Sequence, residues 1–580
     1  MLDRHIIVPS VHKASTTEGT EGHRGTPTLS HRTPPFLLIP APIYKMHAME
    51  QGSKRAAENG AWIRWLMPSA ADLIFIGIFS ALVFTPLSVR LLGDAGIGWH
   101  IRTGQQILAT HAIPRVDWFS STMSGKPWFA WEWVYDAVAG KLEAAAGLNG
   151  VVWFTAIVIA TVFSWLFRAL LARGANLLAA VVFMLLASAA STIHFLARPH
   201  VLSWLFGLAW FLILDSAEEW RSAQGRLWSL PVLMVVWVNV HGGFLLGFAL
   251  LGIFWLSSLW TWLKSRRGPA EDSAARRRVR DLLAVGVAAA LASLINPYGW
   301  RLHAHIYAYL SDRFLMEHID EFQSPNFHGV AQKCFLVLLL FSLSVLLILI
   351  RGRQLRPSQG LLALFAVSTA LYATRNIPVS SILLALIAGP LISDLGFAPD
   401  FFRRMTQVES SLRGHLWAIV AVAVTGGMAI LGSPLLAKPA RSGASQFNGT
   451  SAFKLMDAHF DAKRMPVDAV NYLHDRHAEG PVFCPDNWGG YLIYRAYPSV
   501  RVVVDDRHDL YGPEFLKSYL RLIHVEPGWE DFLREHSAAW LVVPHSSALA
   551  NALTQSAGWR SVYADETAIV FEPAQRLPNK

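Results

Sequence analysis

The stretch Leu91 to Leu108, LLGDAGIGWHIRTGQQIL, decides how the chain is read. It closes the first long apolar run, residues 70–90, and places a carboxylate, Asp94, just ahead of a segment in which Ile97, Ile101, Gly104 and Leu108 share one helical stripe. A chain that leaves an apolar run as an amphipathic helix is predicted to lie along a membrane surface. Spacing alone leaves two readings of Asp94. It is either a cap that accepts backbone N–H bonds and suits the helix dipole, or a general base beside a membrane-bound site.

Composition agrees with the membrane reading. Of 580 residues, 53% are hydrophobic and 16% charged, where soluble proteins carry roughly a quarter charged. Mean hydropathy is +0.34. A soluble enzyme, a disulfide scaffold and a disordered protein are excluded. Cys334 lies in an apolar run and Cys484 in a hydrophilic region, so neither a stabilising bridge nor a thiolate metal site is expected. The net charge of +9 is spread in short clusters, such as Arg276 to Arg280, between apolar runs. These read as topology signals, and no nucleic-acid partner is expected.

Hydropathy marks eleven candidate spans, at 70–90, 150–170, 176–194, 199–215, 228–240, 243–263, 281–295, 333–350, 359–374, 376–393 and 414–436. With a cytoplasmic N-terminus, every inside connection is basic: Arg168 and Arg173; Arg221 and Arg226; Lys264 to Arg280; Arg351 to Arg356; Arg403 to Arg413. The expected organisation is a disordered cytoplasmic segment 1–60, a transmembrane domain 61–440 with a first outside loop 91–149, a linker 441–464 and an extracytoplasmic α/β domain 465–576. Met46 and Met49 precede a basic segment and the first span, which suggests that translation begins there. In the α/β domain, Val467 to Leu473 and Gly489 to Tyr494 read as helical, and Pro481 to Cys484, Val502 to Asp505, Trp540 to Val543 and Ala568 to Phe571 as extended. NWGGYLIY lacks dinucleotide-binding spacing, and no internal repeat is present. The dense run Asp505 to Asp509 reads as a solvated turn ahead of an interaction surface.

This topology sends the unusual polar residues to one side. Asp94, His100 and Glu132 fall in the first outside loop, Arg198 and His200 in the second connection, His241 in the third and Arg375 in the fifth. Ionisable groups beside membrane spans mark a site, a pathway or a paired contact. Carboxylates gain nothing from anionic headgroups, which favours a site. Arg198 and Arg375 suit a phosphate, which a guanidinium grips through two parallel bonds; the alternative is an ion pair with Asp94 or Glu132. Glu132 either pairs with an arginine or acts as a second acid or base. His303 and His305 would point to different faces of a helix, so joint metal binding is not expected. In VHGGF, Val240 to Phe244, the glycines make a turn or admit a ligand to the backbone.

Several of these motifs together resemble those of bacterial multi-pass proteins related to the GT-C glycosyltransferases, a superfamily that includes protein O-mannosyltransferases, aminoarabinose transferases and oligosaccharyltransferases. They are Asp94 with Trp99 and His100, PRVDWFS from Pro114, the pair Glu132 and Trp133, RPH at Arg198 to His200, and NVHGGF at Asn239 to Phe244. The resemblance runs from about residue 70 to 576. It implies an α-helical polytopic membrane protein of GT-C-like fold, here with about eleven transmembrane helices and the outside α/β domain, in the bacterial inner membrane. It also implies that the acidic residue of the first outside loop is catalytic; Asp94 fits, although Ala95 stands where a second acid would complete the familiar pair. NWGGYLIY with VVVDDR is loosely similar to the WWDYG region of oligosaccharyltransferases, but Gly489 replaces its acidic residue, so peptide recognition is not carried over.

The leading expectation is a transferase that passes a sugar from a polyprenyl-phosphate donor to an extracytoplasmic glycan, lipid or protein acceptor. Asp94 would take or orient the acceptor proton, and Arg198, His200 and Arg375 would stabilise the departing lipid phosphate. His100, Glu132 and His241 would shape the sugar pocket. Mg2+ or Mn2+ is compatible with carboxylates and phosphate, but no ligand spacing demands it. The rivals are a transporter or lipid flippase, which would use the break at His241 to Gly243, and a non-catalytic envelope assembly protein that binds a partner through its outer domain.

Overall fold

The computed structural model describes residues 66–219, 221–264, 269–350, 355–393, 399–412, 415–431 and 456–574. The expectations for residues 1–60, including the start at Met46 or Met49, lie outside the described residues, as does the linker up to residue 455.

Each of the eleven candidate spans carries a helix, but eleven crossings are not met by length and apolarity. Six described helices are long and apolar enough to cross a membrane, or seven if Asp400–Ser411 and Leu416–Leu431 are one bent span. The six are Trp133–Ala172, Leu177–His194, His200–Glu219, Gly242–Lys264, Val330–Ile348 and Thr374–Ser393. Ala70–Phe84 has 15 residues and Pro357–Tyr372 has 16, about 22 to 24 Å of helix against a hydrocarbon core of about 30 Å. Pro269–Ala292 has 24 residues, but its first half is charged. Apolar composition marked these segments correctly as helical.

The 40-residue helix Trp133–Ala172 is broken at Ala146 and at Gly147, whose φ of 61° suits glycine. Its apolar second half is the expected span, and its first half carries Glu132 and Asp136 toward the polar end of the bundle. Asn176 caps the next helix by accepting the Ala179 N–H.

At the other end of these helices Arg173, which pairs with Asp215, meets Arg356. Arg356 lies 3.1 Å from Asp215 and 3.5 Å from Glu218. Helix His200–Glu219 thus begins beside Arg198 and ends in this ionic cluster. The two charged regions occupy opposite ends of the bundle.

The C-terminal part is a mixed five-stranded sheet with helices: β1 Gly480–Phe483, β2 Val500–Val502, β3 Trp540–Pro544, β4 Trp559–Ala564 and β5 Ala568–Pro573, in the order β2-β1-β3-β5-β4. β1 is parallel to β2 and β3, whereas β5 is antiparallel to β3 and β4. Val542, Val543, Val570 and Phe571 are fully buried, as expected for the central strands. Residues 120–122 extend this sheet's edge. Ser121 N–H donates to Val502 O at 2.8 Å and Thr122 Oγ1 donates to Val503 O at 2.7 Å.

Helix Ile97–Thr110 is amphipathic, as its stripe predicts, but it is buried on more than one face. Ile97, Ile101, His100 and Thr103 are fully buried, and Leu108 alone of the predicted stripe is exposed. The helix is wedged between Trp133–Ala172 and helix Asp486–Ala496 of the C-terminal part. A Cβ on Gly98 would overlap the Gly490 carbonyl, and one on Gly490 would overlap the Ala95 carbonyl. Backbone meets backbone here, so the correction to a surface-lying helix has a plain cause: glycines let a second helix cover the face that was assigned to lipid.

Candidate active site

Gly93 to Gly96 turn the chain between the first helices, and there Asp94 Oδ1 accepts the Gly96 N–H at 2.8 Å. The helix that follows has Gly96 at its N-cap with no side-chain cap, so Asp94 closes a local turn without capping the helix. Its other oxygen, Oδ2, accepts from Arg198 Nη1 at 2.7 Å. The same nitrogen donates to Asp506 Oδ2 at 3.0 Å, and the Trp99 indole donates to Asp506 Oδ1 at 2.9 Å. Burial pushes Asp506 up to about 6 against the pull of Arg198.

The run Asp505 to Asp509 is therefore not a solvated turn. Asp505 is fully buried and Arg507 nearly so. Arg507 forks onto Asp505, with Nε to Oδ1 at 2.8 Å and Nη2 to Oδ2 at 2.7 Å, and lies 2.7 Å from Asp117, between helices Ile97–Thr110 and Trp133–Ala172. Burial opposes ionisation of Asp117, but Arg507 and Ser120 hold its carboxyl below the usual range. These partners are distant in sequence, and they make a charged segment stable inside the protein.

Asp94, Glu132, Arg198, His200, His241 and Arg375 line one cavity of about 1490 Å³, together with Asp506, Glu321, His508 and Asp509. His100 is not on its wall. It is fully buried behind Glu132, with Nδ1 2.6 Å from Asp136 Oδ1 and Nε2 3.8 Å from Glu132 Oε2. Burial first, then Arg198 and His241, push the His100 imidazole well below its ordinary range, so it is neutral. Glu132 faces two histidines and no arginine within ion-pair distance among the described residues; His241 Nε2 is 3.6 Å from its Oε1. Burial pushes Glu132 up to about 8 despite Arg198.

The two arginines differ. Arg198 is already engaged by two carboxylates. Arg375 lies over the Phe322 ring at 4.5 Å and has no carboxylate within ion-pair distance among the described residues. Glu321 is close enough that, although burial opposes it, Arg375 and Arg198 hold its carboxyl down to about 2. His200 Nε2 meets the His194 carbonyl at 2.9 Å. On the sheet side, Asp486 accepts from Tyr519 at 2.9 Å and lies 2.7 Å from His508; burial opposes the charge on His508, but that carboxylate raises its pKa.

His303 and His305 go separate ways, as expected: His303 Nε2 meets Ser293 Oγ at 2.9 Å and His305 Nε2 meets Asp509 Oδ2 at 3.0 Å. Among the described residues no group of three His, Cys, Asp or Glu side chains is arranged to hold a metal ion. Asp94 and Asp506, two acids of the cavity wall, are both turned onto Arg198.

No protein-family model matches the chain, and no curated protein matches it in sequence. In three dimensions it is similar to the oligosaccharyltransferase of Archaeoglobus fulgidus in the apo form, at 12% identity and a TM-score of 0.51, over 82% of this chain and 68% of that one. It also matches ArnT of Cupriavidus metallidurans in the apo state, at 14% identity and a TM-score of 0.45, over 86% of this chain and 97% of that one. At such identity the first likeness is one of fold: this is a multi-pass α-helical chain of GT-C-like fold with a small C-terminal α/β part.

Proposed function

We propose that this chain is a membrane glycosyltransferase that moves a sugar from a polyprenyl-phosphate donor to an extracytoplasmic acceptor. The observation that carries the reading is the shared cavity, in which a paired carboxylate, Asp94, and an arginine with no carboxylate within ion-pair distance among the described residues, Arg375, stand on one wall system beside apolar side chains of membrane helices. Leu245, Leu246, Phe365 and Val379 give that cavity an apolar flank suited to a polyprenyl chain. Arg375 lies between helices Pro357–Tyr372 and Ile377–Ser393, where the polar and apolar linings meet. It would bind the donor phosphate and neutralise charge as the anomeric bond breaks.

Asp94 retains acceptor capacity beyond its two bonds, to Gly96 and Arg198, and would take the acceptor hydroxyl proton. Arg198 orients Asp94 more than it binds phosphate, because both of its close partners are carboxylates. The sheet-side wall, with His508, Asp486 and Asp509, would receive the acceptor. In this reading the protein sits in a bacterial inner membrane with its N-terminus inside and the sheet outside.

The test supplies labelled lipid-linked sugars to purified protein in lipid. Wild-type protein is expected to form a glycosylated product, and Asp94→Asn at equal folding is expected to lose at least about a hundredfold in rate. Undiminished transfer by Asp94→Asn removes Asp94 from the mechanism. Movement of lipid across liposomes without any chemical product replaces the transferase reading with a flippase.

A further inference from the structure

Helix Asp400–Ser411 presents three faces, and only one of them meets the rest of the protein. Phe402, Thr406 and Glu409 are its half-buried positions on that face. Thr406 Oγ1 accepts the Leu177 N–H at 2.9 Å, and Glu409 accepts the Ala70 N–H at 2.8 Å and the Ala71 N–H at 3.3 Å. These N–H groups belong to the first turns of two apolar helices, where no intrahelical carbonyl can take them. The Glu409 carboxylate also suits the positive end of the Ala70–Phe84 dipole. Helix Asp400–Ser411 is thereby fixed across the starts of two bundle helices. Leu177 follows Arg173 closely in the chain, so this is the end of the bundle where Arg173 meets Asp215, remote from the cavity.

The second face is open. Phe401, Met405 and Val408 recur at spacings of four and three, which puts them on one stripe, and they are 63%, 38% and 51% exposed. The third face is polar and carries Arg403, Gln407 and Ser411, all exposed. Arg404, also exposed, stands on the border between the polar face and the apolar stripe.

Three observations say what covers the stripe. The helix has 12 residues, about 18 Å, too short to cross a bilayer, and it is turned 64° from Leu416–Leu431, the apolar helix that follows it. The helices beside it are open to lipid at the same level: Leu73 and Leu178, in the very turns that it caps, are exposed, and so are Trp417 and Ile419 of Leu416–Leu431. The charge is also of the right kind. An arginine at the edge of an apolar stripe lays its stem along acyl chains and grips a phosphate with its guanidinium, and anionic headgroups attract it further. The sequence pattern predicts a surface-lying helix at Ile97–Thr110, which Asp486–Ala496 instead covers. Helix Asp400–Ser411 keeps the open apolar face that such a position requires.

We propose that helix Asp400–Ser411 is a docking element for anionic phospholipid, lying flat in the membrane interface with Phe401, Met405 and Val408 among the acyl chains and Arg403 and Arg404 on headgroup phosphates. The inference holds whatever reaction the cavity performs. Thr406 and Glu409 are on the same helix, so lipid that holds it flat also holds the caps of two bundle helices, one of which leads to Asp94.

The test uses the full chain in lipid nanodiscs, with Cys334→Ser, since the other native thiol, Cys484, is buried. Val408→Cys and Gln407→Cys each take a small fluorophore, in turn. Both positions and both arginines are exposed, so none of these changes disturbs packing. The label at 408 is expected to be quenched by brominated acyl chains and shielded from iodide in the water, and the label at 407 the reverse. A position 408 open to iodide overturns the inference. So does one shielded from both quenchers, which would put protein over the stripe, either a second copy or residues 1–65 of this chain. Brominated phosphatidylglycerol is expected to outcompete brominated phosphatidylcholine at position 408 about fivefold, the effect of one cation beside anionic headgroups. Arg403→Gln with Arg404→Gln should bring that ratio close to one. A ratio near one before the arginines are changed, or a ratio that does not move when they are, also overturns it.

Discussion

Asp94 and Asp506 hold the same nitrogen: Nη1 of Arg198 lies 2.7 Å from the first and 3.0 Å from the second. One carboxylate comes from the loop after the first helix and the other from the loop after β2, so the guanidinium ties the membrane part to the sheet at the cavity wall. Removing the cation leaves two half-buried acids facing each other. Arg198→Met is expected to destabilise the folded state by about 3 kcal/mol, as for other pairs broken from one side. Adding Asp506→Asn should recover part of that loss. Denaturant unfolding in micelles measures both, and strict additivity would deny the shared contact.

Arg375 makes no ion pair within 4 Å among the described residues, but its charge is the first of those that keep buried Glu321 ionised, so its loss should cost some stability as well as donor binding. Arg375→Gln is expected to lower the unfolding temperature modestly above about pH 4.5, as Glu321 loses its strongest nearby cation, and to raise KM for a lipid-phosphate donor about tenfold, the value of one charge-assisted bond. Donor titrations at fixed acceptor give the comparison; an unchanged KM would place the phosphate elsewhere.

Gly98 and Gly490 touch through their backbones. Gly98→Val has no flexible neighbour to displace and should cost about 2 to 3 kcal/mol of overpacking. Hydrogen exchange should rise across helices Ile97–Thr110 and Asp486–Ala496 and change little in Val330–Ile348.

Raised carboxyl pKa values carry a definite sign. Glu132, ordinarily near 4.5 and here near 8, binds its proton more tightly when folded. Its contribution is fully favourable below about 4.5, falls as pH rises and levels off above about 8. Asp506 acts likewise between 3.8 and about 6. Glu321, held near 2, works in reverse: its stabilisation is present above 4.5 and is lost as pH falls through about 2. The decline in wild-type stability between about pH 6 and pH 8 should flatten in Glu132→Gln, as melting curves across pH would show.

The helices and the convergence of polar residues on one face were legible because both depend on local pattern: apolar runs, basic connections and their alternation. Asp506 was not, because VVVDDRHD looks like a charged turn until Arg507 finds Asp117 and Asp506 finds Arg198, partners remote in sequence. His100 was singled out, but its place behind Glu132 depends on Asp136, one helical turn past Glu132 on the next long helix. The count of crossings was less legible, because hydropathy registers apolar character without length: eleven segments are apolar, and six or seven described helices are also long enough to span.

The ionic cluster of Arg173, Asp215, Arg356 and Glu218 at the far end of the bundle also has a mechanical meaning. It rivets together the ends of two long helices and the start of a third, while the cavity end holds a large void. Helices pinned at one end and spaced at the other can splay only like the blades of a fan. The charge that holds these three helices is thus spent at the end remote from the cavity, and the cavity walls owe their spacing to other contacts.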